Sequence, residues 1–262
     1  MSERPRKEAS FWEHLEEMRW RLVRSVIYVA VAMLLAWVFR VELLMLLRYP
    51  AEAGAETADI EDFTFRIFES AGGVILMMQI SLVAGVIAAS PLIFGELWLF
   101  IEPALERHER RYVIVMLPAA TLLFLAGVAF CYWISPKAFA FFFSFNQSIG
   151  VQPELTLQPY LYFLLRLLLV FGLAFEMPLV LMFLARVGFV TQRQLLAWWR
   201  HAVVIIFIIA AFATPTIDPV TMSLMAGPMV VLYLLSVLLC GFVEKRRDGL
   251  SEPSGEEDED EG

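Results

Sequence analysis

Residues 90–111 read SPLIFGELWLFIEPALERHERR, and how this stretch is read decides the architecture. It packs two prolines, four glutamates and three arginines between two long apolar runs, 71–94 and 113–134. Each run is close to the roughly 20 residues a helix needs to cross a hydrocarbon core of about 30 Å. The charged stretch is therefore a link outside the membrane, and the search moves outward to further spans. Residues 22–39, 161–184, 198–213 and 220–243 supply four more, of which 198–213 is short. The first of them has room to continue as helix to Leu47. The chain is 60% hydrophobic and 18% charged, with a mean hydropathy of +0.69, more apolar surface than a soluble domain of 262 residues can cover. Strands of a membrane barrel alternate in polarity. These runs are apolar on all sides, so the fold class is an all-α polytopic membrane protein with six transmembrane helices.

Lysine and arginine set the orientation. With the N-terminus inside, the inner segments hold fifteen of these residues (Arg4, Arg6, Lys7, Arg19, Arg21, Arg24, Arg107, Arg110, Arg111, Arg186, Arg193, Arg200, Lys245, Arg246 and Arg247). The outer segments hold four, Arg40, Arg48, Arg66 and Lys137, and Arg166 falls within a span. Both termini are expected in the cytoplasm, and residues 90–111 with them. The outer segments 48–69 and 135–159 are read as loops, the second lying at the interface through KAFAFFFSFNQ. ATPTIDPV is read as a tight turn that makes the last two spans a hairpin. The net charge of −8 is misleading, because seven carboxylates crowd into EPSGEEDEDEG. Residues 244–262 are expected to be a disordered acidic tail, lacking apolar groups to offset ordering entropy. MSERPRKEAS holds no apolar core or cleavage site, so no secretory leader is expected there. Cys131 and Cys240 fall near opposite ends of the spans and are read as packing residues, too far apart for a disulfide.

Two acidic segments converge on the inner side. In SFWEHLEEMRWRL, Ser10 and Glu13 fit a capping box, and Phe11, Leu15, Met18 and Leu22 share one stripe. This predicts an amphipathic helix over about 10–21, lying at the membrane surface before the first span. Its Glu17 either pairs with Arg21 one turn on or remains available to a ligand. In the second segment Pro91 is expected to disturb the end of its span, and Pro103 to open a short helix. Glu96, Trp98 and Phe100 form an acidic and aromatic patch, followed by Glu102, Glu106 and Glu109. Carboxylates bind guanidinium groups through charge-assisted hydrogen bonds, and an aromatic ring stacks on the guanidinium face. The alternative is salt bridging within the loop, and composition leaves both open. Glu176 lies mid-span in VFGLAFEMPLV beside Pro178, where an ionised carboxylate demands a partner, water or a proton. Arg166, ten residues earlier and about 15 Å away along the axis, is too distant to pair with it. Asp218 stands before Pro219 as a helix-start residue.

HLEEMRWRL, SPLIFGELWLFIEPALERHERR, FGLAFEMPLVL and TPTIDPVTM, in this order, resemble the TatC family, the multispanning core of the twin-arginine protein translocase. The resemblance runs from Phe11 to about Val243, making residues 1–243 one membrane domain. It implies six helices in a concave, cup-like arrangement in a prokaryotic plasma (inner) membrane. It implies a receptor that binds twin-arginine signal peptides on folded cargo at its cytoplasmic face. It also implies partners of the TatA/TatB single-span type, export driven by the proton-motive force, no cofactor and no enzymatic activity. Residue by residue, Glu17 and Glu109 match the acidic contacts for the paired arginines, and Phe100 the aromatic between them. Arg19 and Arg21 match basic positions of the motif, Pro50 a proline of the first outer loop, and Asp218 an acid of the last turn. Glu176 matches an intramembrane glutamate that meets partner helices. Glu96 stands where many members carry Gln, adding a carboxylate to the proposed peptide site, and Arg166 has no counterpart in the pattern. The competing reading is a proton-coupled small-solute transporter using Glu176, which leaves the inner carboxylates without a task. No GxSxG, HExxH or paired-aspartate motif supports an intramembrane enzyme, and His14, His108 and His201 lack metal-ligand spacing.

Overall fold

The computed structural model describes residues 11–60, 63–66, 72–101, 110–151, 154–213 and 219–248. In chain order they form α1 (Phe11–Val38), α2 (Arg40–Thr57), β1 (Phe65–Arg66), α3 (Gly72–Ile101), α4 (Arg110–Ser148), β2 (Leu155–Thr156), α5 (Leu157–Phe175), α6 (Met177–Val187), α7 (Gln192–Ala197), α8 (Trp199–Ala213) and α9 (Pro219–Asp248). The all-helical membrane class is as expected. Leu15–Val38, Gly72–Ile101, Met116–Ser148, Leu157–Val187 and Thr221–Phe242 are each long and apolar enough to cross a bilayer. α8, at 15 residues, is about 22 Å long and falls short of a full hydrocarbon core. Side chains such as Leu34 (71% exposed) and Phe212 (81%) face outward without protein cover, which only a lipid solvent makes inexpensive.

The chain divides into two compact units, Met1–Gly172 and Leu173–Gly262. In the first, α1 packs along α3, and α2 and α3 both pack on α4. α1 and α3 run antiparallel with backbones almost touching. A Cβ built on Gly85 would lie 2.7 Å from the Met33 nitrogen and 2.9 Å from its Cα. Apolar packing has little hydrophobic drive within lipid, so such close approach of small residues supplies the dispersion that holds helices together. α2 approaches α4 similarly at Gly54, whose added Cβ would meet Phe139, Ala140 and Pro136.

Pro91 and Pro50 depart from expectation. Pro91 does not end its span, because α3 continues ten residues beyond it to Ile101. Proline lacks the N–H that would reach the Ile87 carbonyl, and the Ser90 hydroxyl donates to that oxygen instead, at 2.8 Å. Pro50, expected in a loop, lies buried inside α2. The Leu46 carbonyl that it deprives of a donor accepts from the Tyr132 hydroxyl on α4, at 2.9 Å. A carbonyl that loses its helical donor is satisfied by such a substitute. The supposed loop 135–159 is largely helix, since α4 passes Pro136 and reaches Ser148. The chain between residues 11 and 38 is one unbroken helix with no turn at 21 or 22 where a separate surface helix would end. The first span stops at Val38, and α2 begins after Phe39. Among the described residues β1 and β2 form one parallel pair, Phe65 opposite Leu155 and Arg66 opposite Thr156. An Arg66–Glu154 ion pair at 2.8 Å and a ring cluster of Phe63, Phe65, Phe139, Phe143 and Tyr160 flank it. Two-residue strands give no alternation for a sequence pattern to reveal.

In the second unit α6, α7 and α8 all pack on α9, the last two spans meeting as the hairpin reading requires. α6 ends on Gly188 in the left-handed region (φ 85°), with Phe189 N–H donating to the Leu184 carbonyl, a glycine stop. α7 starts with a complete capping box between Thr191 and Gln194. The Glu244 carboxylate of α9 accepts from the Gln192 N–H at 3.2 Å, and the Tyr233 hydroxyl donates to the Leu195 carbonyl at 2.7 Å. Cys131 and Cys240 are free and buried. Ser10, Pro103, Glu109, Asp218 and residues 249–262 lie outside the described residues, whereas the segment from 244, expected to be disordered tail, begins as helix because α9 continues to Asp248.

Candidate functional site

The N-terminal turns of α1 and the C-terminal turns of α3 bring the acidic segments together. Arg21, on α1, is the hub. Its Nε and Nη2 donate to Glu17 Oε1 at 3.1 and 2.5 Å, and its Nη1 to Glu96 Oε2, on α3, at 3.4 Å. Helical periodicity puts Glu17, Arg21, Arg24 and Tyr28 on one face of α1. Arg24 Nη1 lies 3.6 Å from Glu96 Oε2, and the Tyr28 hydroxyl donates to Glu96 Oε1 at 3.3 Å. Glu96 is thus a buried carboxylate, 7% exposed, served by two cations and a phenol from one neighbouring helix. A buried charge persists only when compensated in this way. Glu96, expected to add a carboxylate to the peptide site, turns its side chain into the α1–α3 seam.

Glu17 is more open, its side chain 37% exposed against 18% for Arg21. It borders a cleft of about 380 Å³ lined by Glu16, Glu17, Trp20, Arg21 and Arg24. Trp20 is 55% exposed there, an unshielded aromatic face beside carboxylates. Arg19 is exposed on α1, and Phe100 is half-buried one residue before the end of α3. The antiparallel register sets Phe100 level with Glu17. One turn toward the N-terminus from Arg21 is Glu17, and one turn toward the C-terminus from Glu96 is Phe100, both in the same direction along the seam. Arg24, expected only to orient the chain, and Tyr28, with no expected role, both join the cluster. Their 3- and 7-residue offsets from Arg21 were the available signal.

Glu176, in the second unit, is 8% exposed at the junction of α5 and α6. Its N–H bonds the Leu173 carbonyl at 3.1 Å, a tightened turn, and Pro178 two residues on denies the Ala174 carbonyl its usual donor. Arg166 is exposed on α5 and has no ion pair among the described residues. Among the described residues no cluster of three His, Cys, Asp or Glu side chains has metal-binding geometry. A cavity of about 490 Å³ between α2, α3, α4 and α5 is lined by apolar side chains such as Leu43, Ile80, Leu125 and Leu168, with Tyr132 at its edge. It offers no titratable carboxylate to a polar solute.

A family profile described as "Sec-independent protein translocase protein (TatC)" matches residues 13–228. The chain belongs to the TatC family. A TatC protein of Desulforapulum autotrophicum is 36% identical over 254 residues, which cover 97% of this chain and 92% of that one. The Aquifex aeolicus TatC is 36% identical over 87% of this chain and 92% of its own length. A chloroplastic TATC of Arabidopsis thaliana is 35% identical over 87% of this chain and 65% of its own length. A crystal structure described as the twin-arginine translocase receptor TatC superposes with a TM-score of 0.79 at 35% identity, covering 88% of this chain and 99% of that one. TatC proteins are translocase components and not enzymes, and these relatives lend the solute-transporter alternative no support.

Proposed function

We propose that this chain is the receptor subunit of a twin-arginine translocase, and that the seam of α1 and α3 reads paired arginines on the signal peptides of folded cargo. The observation that carries this reading is the engagement of Glu17. Its carboxylate already accepts two hydrogen bonds from a planar guanidinium, at the edge of an open cleft with an exposed indole. The same geometry suits an arginine arriving from outside, because the guanidinium fork makes paired hydrogen bonds that a lysine ammonium cannot reproduce. In this reading Glu17 and Glu109 take one arginine each, Phe100 lies between them, and Arg19 and Arg21 order the acidic helix. The excess of inner lysine and arginine supports a plasma-membrane topology with both termini cytoplasmic. Single-span partners of the TatA/TatB type assemble on the receptor, with Glu176 meeting a polar group of a partner helix, and the proton-motive force drives export.

The test is photocrosslinking from positions 100 and 109 to a twin-arginine precursor and to its twin-lysine counterpart. Crosslinks should form with the first and fall away with the second. Combining Glu17→Ala with Glu109→Ala should abolish export of twin-arginine cargo, and undiminished crosslinking by Glu109→Ala alone refutes that residue's assignment. Glu176→Ala should weaken crosslinks between this span and the partner helix while leaving peptide crosslinking intact. Unchanged assembly and export count against the Glu176 role.

A further inference from the structure

In the unliganded chain the carboxylate assigned to the peptide is already occupied. Arg21 sits on Glu17 with two of its nitrogens, so an incoming guanidinium must displace an internal one. Displacement is costly if Arg21 is left without a counter-ion, because its side chain is only 18% exposed. Glu96 supplies the alternative. It already touches the third nitrogen of the same guanidinium, at 3.4 Å, a separation with room to close. Its other cation, Arg24, is 55% exposed on its side chain and can turn to water when Arg21 moves in. The Tyr28 hydroxyl holds the carboxylate in place through its second oxygen.

The geometry points to Glu96 as a positioning residue that makes Glu17 exchangeable: it receives Arg21 when the twin-arginine peptide arrives, so Glu17 trades one guanidinium for another at little cost. The inference rests on the reading that Glu17 binds the peptide, and it adds a role for a carboxylate buried in the α1–α3 seam. With an uncharged residue at 96, Arg21 has Glu17 as its one carboxylate among the described contacts and holds it more tightly. Arg21 is therefore a competitor of the cargo, and Glu96 decides how strongly it competes.

The experiment uses full-length protein in detergent and a fluorescent synthetic signal peptide with paired arginines, its twin-lysine version serving as control. Glu96→Gln keeps the size of the side chain and one accepting oxygen but removes the charge, and should weaken arginine-peptide binding by roughly two- to fivefold, the scale of one ion pair. In a Glu17→Ala background the same substitution should have no further effect, since the exchange no longer exists. A residue that merely braces the helices would lower affinity equally in both backgrounds, and that result overturns the proposal. Arg21→Gln removes the competitor, so in that background Glu96→Gln should have no further effect on affinity, whatever Arg21→Gln does by itself. A further loss there also overturns the proposal. If Glu96→Gln proves too unstable to purify, Glu96→Asp, which keeps the charge but shortens the reach to Arg21, takes its place in both comparisons. If Glu17→Ala itself leaves binding unchanged, the underlying reading of the site fails. If Glu17→Ala weakens binding and Glu96→Gln does not, the exchange alone fails.

Discussion

Replacing Gly85 by alanine should disturb the receptor seam without touching a charged residue. The new methyl carbon would lie 2.7 Å from the Met33 backbone nitrogen, against 3.4 Å for the nearer edge of ordinary contact. The obstacle is backbone, so α1 must retreat from α3 by about 0.7 Å to clear it. A gap of that size forfeits about a quarter to a half of the dispersion well of each facing atom pair. Overpacking of this kind costs about 1–3 kcal/mol. Alanine is also the better helix former by about 0.8–1.0 kcal/mol, which masks part of the cost. Gly95→Ala is the control, because it lies in the same helix with nothing within 4 Å of its added Cβ. The propensity gain is common to both variants, so their difference isolates the overlap. Thermal unfolding of the detergent-solubilised protein should place Gly85→Ala below Gly95→Ala by about 1–3 kcal/mol. The retreat also lengthens the Arg21–Glu96 contact, already 3.4 Å, so peptide affinity should fall with stability. Equal stability of the two variants refutes the argument from helix approach.

Two further outcomes follow from local hydrogen bonds. Tyr132→Phe leaves the Leu46 carbonyl without the donor that replaces the missing one at Pro50, and should cost about 1–3 kcal/mol in thermal unfolding. In a Pro50→Ala background, where an amide at position 50 is restored, the same change should cost much less, and additivity of the two would disprove the substitution of donors. Glu244→Gln removes the charge facing the first N–H of α7, and should destabilise that helix by about 0.3–1 kcal/mol. Hydrogen exchange at the Gln192 amide reads this directly, and an unchanged rate counts against the cap.

The sequence by itself determined the solvent and the class of fold. Spans of about 20 apolar residues have no other stable setting than lipid, and within lipid the helix satisfies its own backbone. Its motifs also named Glu17 and Phe100 as candidate site residues by resemblance to TatC, whereas composition left salt bridging within the segment open. Proline misled the reading, since its effect depends on whether a neighbour replaces the lost donor. Ser90 does this for Pro91 from within α3, and Tyr132 does it for Pro50 from 82 residues away. Glu96 shows the same limit. Its type announced a charge beside an aromatic patch, but only the register of α1 on α3 decided that Arg21, Arg24 and Tyr28 surround it. That register is set by two backbones meeting at Gly85 and Met33, a steric fit between segments far apart in the chain. Periodicity fixes which residues share a helix face, whereas the partner that face meets, and at what height, is a property of packing in three dimensions.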